Sequence, residues 1–321
     1  MCIFPIIVRR SMSFYPNFLK LVSICCVYKV RLFFKLMTSR NLFSRSLIQQ
    51  VRQELRVIGT EDTSVNFYSG SKLGWEVDED VGIIELQNTR ARNAINGRMM
   101  YDLSVLIDEL EENKRLKCII LRGHNGHFCA GADLQMAQEY LGTTKGGEQM
   151  SSVMIDSLTR FRHLPFITIA AIEGGAVGGG AELATACDYR IIHANAFLRF
   201  VHTKMGITPG WGGGTRLVRL IGRQNALKLL SAATVCNAND ALEYSLVDCI
   251  SPSDRNLWDT VYEFMRPFLQ AEAHVLQETK RVVAHADDLV FESALRTEQS
   301  AFLSLWGGPA NKRALAAQVR K

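Results

Sequence analysis

Glu173-Gly174-Gly175-Ala176-Val177-Gly178-Gly179-Gly180-Ala181-Glu182 is the stretch that decides how this chain is read. It follows an apolar run at 166–172 that has the length of a buried strand, and it opens a helical pattern at 181–187. Three consecutive glycines remove side-chain obstruction, so backbone amides at the helix start are free to face a cavity. The spacing does not give G-x-G-x-x-G after the strand, and no Walker lysine follows, so nicotinamide binding and nucleotide hydrolysis lose support.

The same order of strand, loop and helix occurs upstream. Apolar runs at 81–86 and 116–121 read as strands, as does 73–77, which a turn at 78–80 joins to 81–86. Between them Met99, Met100, Leu103, Leu106, Ile107 and Leu110 recur at helical spacing. The loop after 116–121 reads His127-Phe128-Cys129-Ala130-Gly131-Ala132-Asp133-Leu134. Asp133 can accept from early helical amides, which makes the Ala132 N–H a candidate free donor. A helical stripe through Met154, Ile155, Leu158 and Phe161 leads to Pro165, and a strand is expected at 189–193. Alternating strands, helices and glycine-rich turns predict an α/β layer arrangement. Beyond Trp211 the pattern is mostly helical, at 217–221, 226–230, 258–268 and 291–305. A catalytic core is expected at 71–260 and a C-terminal helical region at 261–321.

Two amides aimed at one oxygen have a clear chemical use. When a bond breaks next to a thioester carbonyl, charge gathers on the oxygen of the resulting enolate, and fixed N–H groups stabilise it. Each such donor is worth roughly 3 kcal/mol in the transition state, about a hundredfold in rate. Either loop alone is equally well explained as a tight turn or close packing of helix on strand. Glu182 lies three residues after Gly179 and has two readings: a proton relay, or an acceptor within the helix start. His202, beside Phe200 and Val201, is a candidate for carboxylate binding or protonation, against a satisfied core histidine. Trp211 fits an acyl pocket or the core, Asp188 a chain turn, and Arg216 a surface ion pair.

Composition narrows the function classes. The 321 residues carry 37 basic and 32 acidic side chains, a formal charge of +5. Residues 1–58 hold ten of the bases and one acid, Glu54, so the rest of the chain is slightly acidic and offers little to nucleic acid. The eight cysteines, Cys2, Cys25, Cys26, Cys118, Cys129, Cys187, Cys236 and Cys249, form no close-spaced metal pattern and read as reduced, mostly buried residues. The histidines make no H-E-x-x-H arrangement, so no metal site is expected. The apolar run at 21–28 is short and flanked by Lys20, Lys29 and Arg31, whereas a membrane span needs about 20 apolar residues. Residues 1–60, basic and poor in acids, read as a mitochondrial transit peptide, a disordered extension or an upstream stretch, and are set aside from the fold.

Four ordered motifs then resemble the enoyl-CoA hydratase/isomerase, or crotonase, family across 72–321: Asn88-Thr89-Arg90-Ala91-Arg92-Asn93-Ala94-Ile95-Asn96, the loop from Phe128 to Leu134, Gly178 to Asp188, and Gly206 to Arg216. The resemblance implies a crotonase-type spiral of β-β-α units with a C-terminal helical region, an acyl-CoA substrate, no separate cofactor, and assembly as a trimer or a pair of trimers. It places the oxyanion amides on Ala132 and Gly179, with Glu182 and His202 as the polar pair. Arg90, Arg92, Ala94, Ala130 and Trp211 become candidate contacts to substrate. Hydratases of the family use two glutamates; Glu182 matches one, but His202 stands at the other. The segments 199–206, 211–213 and 306–311 resemble members that remove CO2 from ethylmalonyl-CoA, with methylmalonyl-CoA as a second substrate, and that clear carboxylated side products in the cytosol. A hydratase or isomerase activity, and an RNA-binding or scaffold role on the same fold, stay open as alternatives. The basic N-terminal segment keeps the mitochondrion open as a location.

Overall fold

The computed structural model describes residues 43–59, 62–69, 79–140 and 143–289, and isolated positions beyond. The expected strand at 73–77, the helix at 291–305 and the motif at 306–311 lie largely or wholly outside the described residues. The elements, in order, are α1 (Arg45–Leu55), β1 (Ser64–Ser69), β2 (Val81–Gln87), α2 (Gly97–Glu111), β3 (Cys118–Gly123), α3 (Leu134–Tyr140), α4 (Thr144–Arg162), β4 (Ile167–Ile172), β5 (Gly175–Val177), α5 (Gly179–Ala184), β6 (Tyr189–His193), β7 (Phe197–Arg199), α6 (Gly213–Ala232), β8 (Cys236–Asn237), α7 (Ala238–Glu243), β9 (Cys249–Ser251), α8 (Leu257–Leu269) and α9 (Ala273–Asp288). Short 3-10 turns stand at Thr89–Ala91 and His202–Met205.

Six strands form the main sheet in the order β1-β2-β3-β4-β6-β9; β1 runs antiparallel to β2, and the others are parallel. Parallel strands need crossovers and are covered on both faces, which is why β3 and β4 read as unbroken apolar runs. On one face Val81, Ile83, Ile120, Ile169 and Ile191 pack against Leu257, Trp258, Val261 and Met265 of α8. Helix α2 packs on α4, and the stripe expected at Met99, Met100, Leu103, Ile107 and Leu110 is buried. Burying a side chain of this size contributes about 1.5–3 kcal/mol.

β5, β7 and β8 make a second, smaller sheet. Single bridges extend it, Cys129 to Ala176 and Ala132 to Ile95. The chain therefore winds as a spiral: each turn supplies a strand to the large sheet, a short rung to the small one, and then a helix. The crotonase-type α/β fold is what the structure shows.

Three features depart from the reading of the sequence. The antiparallel partner of β2 among the described residues is β1, at Ser64–Ser69. Helix α1 lies within the segment set aside, yet Ile48, Val51 and Leu55 are buried, and Arg52 reaches Ser104 and Asp108 of α2 at 2.8 and 2.6 Å. One of its two bases, Arg52, pairs with α2 instead of facing solvent, so the basic composition of the segment masked an amphipathic helix. The helical segments at 217–221 and 226–230 belong to one element, α6, kinked where Gly222 takes φ 76°.

Candidate active site

The site is built where two successive rungs of the small sheet turn into their helices. In the bridge between Ile95 and Ala132, Ile95 N–H donates to Gly131 O (2.7 Å) and Asp133 N–H donates to Ile95 O (2.9 Å). A parallel bridge with that pattern turns the N–H of Ala132 away from Ile95. Asp133 Oδ1 accepts from Met136 N–H at 3.0 Å and so caps α3, as its position in the sequence led us to expect. On the next rung Cys129 N–H donates to Gly175 O (3.2 Å) and Val177 N–H to Cys129 O (2.9 Å). Beyond Val177 the chain leaves this rung and turns into α5, so Gly179 follows Ala176 by three residues as Ala132 follows Cys129. Gly131, at φ +99°, allows the two loops to approach: a Cβ there would stand 3.0 Å from Gly179 N and 2.8 Å from Val177 O.

Gly179 is the first residue of α5, where an amide has no partner within the helix. Among the described residues outside helices and strands, the Ala132 N–H meets no backbone acceptor. Two donors that share one oxygen at about 2.9 Å each must be no more than about 5.8 Å apart, and the two loops come close: a Cβ on Gly131, next to Ala132, would stand 3.0 Å from Gly179 N.

Glu182, one turn into α5, is almost fully buried. Its Oε1 faces His202 Nε2 at 2.9 Å and accepts from Gly210 N–H at 3.3 Å. Its Oε2 accepts from Trp211 and Gly213 N–H, both at 2.8 Å. His202 is buried, and its Nδ1 has no hydrogen-bond partner among the described residues. The Trp211 ring covers Gly179: a Cβ on that glycine would fall 2.5 Å from Cζ3. Glu182, His202, Trp211 and Gly179 thus form one cluster.

Arg216, expected at the surface, is buried instead. It donates to Thr185 Oγ1 (3.1 Å), Glu182 O (3.0 Å) and Trp211 O (2.9 Å), locking the 210–213 loop onto α5. Burial pulls its guanidinium down to about 10, with Glu182 opposing, so it stays charged at neutral pH. A signal was present, because Gly213, Arg216 and Leu217 share the i, i+3, i+4 face that α6 buries.

The proposed substrate contacts divide. Ala130 N–H donates to Arg92 O at 3.0 Å, and the Ala94 carbonyl accepts from Asn88 at 2.8 Å, so these residues sit together next to the first rung. Arg90 is turned to solvent and pairs with Asp62 at 2.9 Å. The segment is braced by Asn93, which donates to His124 O and His127 O at 2.8 and 2.7 Å and was not singled out from sequence. Asp188 accepts from the backbone and hydroxyl of Thr168 at 2.7 and 2.9 Å and holds a chain turn. Among the described residues no group of His, Cys, Asp or Glu is arranged to hold a metal, and no helix is long and apolar enough to cross a membrane. Burial pushes the thiols of Cys118, Cys129, Cys187 and Cys236 up to about 12, so they are held as unreactive thiols.

Known proteins are similar to this chain in sequence and fold. The enoyl-CoA hydratase/isomerase family pattern matches residues 76–316. The chain is 42% identical over 288 residues to the ethylmalonyl-CoA decarboxylase of Gallus gallus, covering 86% of this chain and 96% of that one. It is 37% identical over 293 residues to the ethylmalonyl-CoA decarboxylase of Danio rerio, covering 88% and 96%. Among solved structures, an enoyl-CoA hydratase from Bacillus anthracis superposes with a TM-score of 0.72 at 26% identity, covering 81% of this chain and 96% of that one. Spiral, rungs and sequence agree that the chain belongs to the enoyl-CoA hydratase/isomerase, or crotonase, family.

Proposed function

We propose that this chain removes CO2 from ethylmalonyl-CoA to give butyryl-CoA, with methylmalonyl-CoA as a second substrate. The observation that carries the reading is the close approach of the Gly131–Ala132 loop to the start of α5, where a Cβ on Gly131 would stand 3.0 Å from Gly179 N, with the Ala132 N–H turned away from Ile95. Breaking the bond between the α-carbon and its carboxylate leaves an electron pair that spreads onto the thioester oxygen. Two backbone donors stabilise that charge without moving, and loss of one such donor costs roughly 100- to 1,000-fold in rate. The names of the relatives above support ethylmalonyl-CoA as the substrate.

Hydration is less well served by the same residues. It calls for paired carboxylates to activate and deliver water, whereas Glu182 accepts from backbone N–H groups on both oxygens and the second position is His202. RNA binding finds little to use in a chain that is slightly acidic beyond residue 58. The same reading carries a trimer or pair of trimers, and a cytosolic role in clearing carboxylated side products, with the mitochondrion as the alternative location.

Product analysis with the purified chain tests the proposal. CO2 release and butyryl-CoA from ethylmalonyl-CoA are expected. Hydration of crotonyl-CoA with no CO2 from ethylmalonyl-CoA would overturn it.

A further inference from the structure

We infer that Glu182 is a positioning residue: it holds the Nε2 side of the His202 imidazole, so that Nδ1 is the atom that meets the substrate and delivers a proton to the α-carbon. This rests on the decarboxylase reading above and assigns roles that the two residues otherwise share.

The first argument is the occupancy of the carboxylate. An ionised carboxylate has about four acceptor positions. Those of Glu182 are taken by His202 Nε2 (2.9 Å), Gly210 N–H (3.3 Å), Trp211 N–H (2.8 Å) and Gly213 N–H (2.8 Å). Three of these partners are backbone amides, which can only donate. Glu182 therefore acts as an acceptor throughout, with no position left for a water or a substrate carboxylate. The imidazole nitrogen facing it must carry a hydrogen.

A second, independent observation concerns the other nitrogen. His202 is buried, and Nδ1 has no partner among the described residues. Buried polar atoms are almost always paired, so Nδ1 has room for a partner that the described side chains do not supply. The location suits a reacting group. Glu182 and Gly179 lie three residues apart on α5 and so share a face. The chain leading to His202 runs beside the same loop: Gly178 N–H donates to Arg199 O at 2.8 Å, and a Cβ on Gly178 would lie 3.4 Å from Val201 Cγ2.

The step balances as follows. The bond from the α-carbon to the carboxylate breaks, CO2 leaves, and the electron pair passes into the enolate. The enolate then returns a pair to the α-carbon, which takes the hydrogen of Nδ1. His202 is left neutral with its remaining hydrogen on Nε2, still held by Glu182, and a proton from water restores Nδ1–H.

Decarboxylation in D2O, followed by analysis of the α-deuterium of butyryl-CoA, tests the role of Nδ1. Wild type is expected to place deuterium on one face. His202→Gln is expected to place deuterium on both faces, since water then supplies the hydrogen after CO2 has left, and to slow turnover by about 100-fold where that protonation limits the rate. An unchanged face would overturn the assignment. Nitrogen NMR of the imidazole tests the role of Glu182 without turnover. Nε2 is expected to carry a hydrogen in wild type and to lose it in Glu182→Gln, where an amide N–H2 replaces the acceptor. Nε2 without hydrogen in wild type would overturn it. Absence of CO2 release by wild type would sink the decarboxylase reading alone, since the NMR result still decides how Glu182 holds His202.

Discussion

The indole of Trp211 lies against the Cα of Gly179 so closely that a methyl group there would meet Cζ3 at 2.5 Å. One residue supplies the proposed oxyanion amide; the other is the wall that fixes where that amide can sit. Glycine at this position is thus a packing requirement as well as a chemical one.

Replacing Gly179 by alanine should push the ring or the peptide aside, and this clash is expected to cost about 1–3 kcal/mol of stability. Displacing the donor is expected to lower the rate of CO2 release by about 100-fold. Adding Trp211→Ala to that variant should recover part of the lost stability in urea unfolding. A double variant no more stable than the sum of the single effects would show that the two side chains do not compete for space.

Glu182→Ala leaves the N–H groups of Gly210, Trp211 and Gly213 without their acceptor. Each unsatisfied buried group costs about 1–3 kcal/mol, so a loss of about 3 kcal/mol or more in urea unfolding is expected. Glu182→Gln keeps one oxygen for Trp211 and Gly213 and should lose less. Equal stability of the two variants would contradict the bracing role.

Asp288 fastens the end of α9 to α4 and α6 through His163 Nε2 at 2.6 Å, Arg162 at 3.0 Å and Arg219 at 2.7 Å. Burial alone would raise its carboxyl, but the His163 hydrogen bond and the two guanidinium groups outweigh it and hold the group well below the usual carboxylate range. A depressed folded value means stability that is fully present above the unfolded value, about 3.9, and lost as pH falls toward the folded one. Wild type should therefore exceed Asp288→Asn in urea midpoint at pH 7, and the gap should narrow below about pH 4. A gap that is constant with pH would assign the effect to something other than this carboxylate.

The sequence was most legible where single elements declare themselves. Periodicity located α2, β3, β4, β6 and α8 to within a few residues, and the two glycine loops were correctly set between strand and helix. β5, β7 and β8 were hidden because two or three residues cannot display alternation, although β5, through its bridge with Cys129, carries the loop of Ala132 toward the start of α5. The state of Glu182 was hidden for another reason. Its backbone donors stand 28 to 31 residues later in the chain and reach it only when the 210–213 loop closes over α5. Arg216 was misread because a charge at the start of a helix usually faces water, while here three oxygen acceptors meet it inside.

The most direct test is a crystal structure of the chain with an unreactive thioester analogue of ethylmalonyl-CoA. The account expects the thioester oxygen about 2.7–3.1 Å from both Ala132 N and Gly179 N, the geometry of an oxyanion site. An oxygen within hydrogen-bonding distance of neither amide would contradict it.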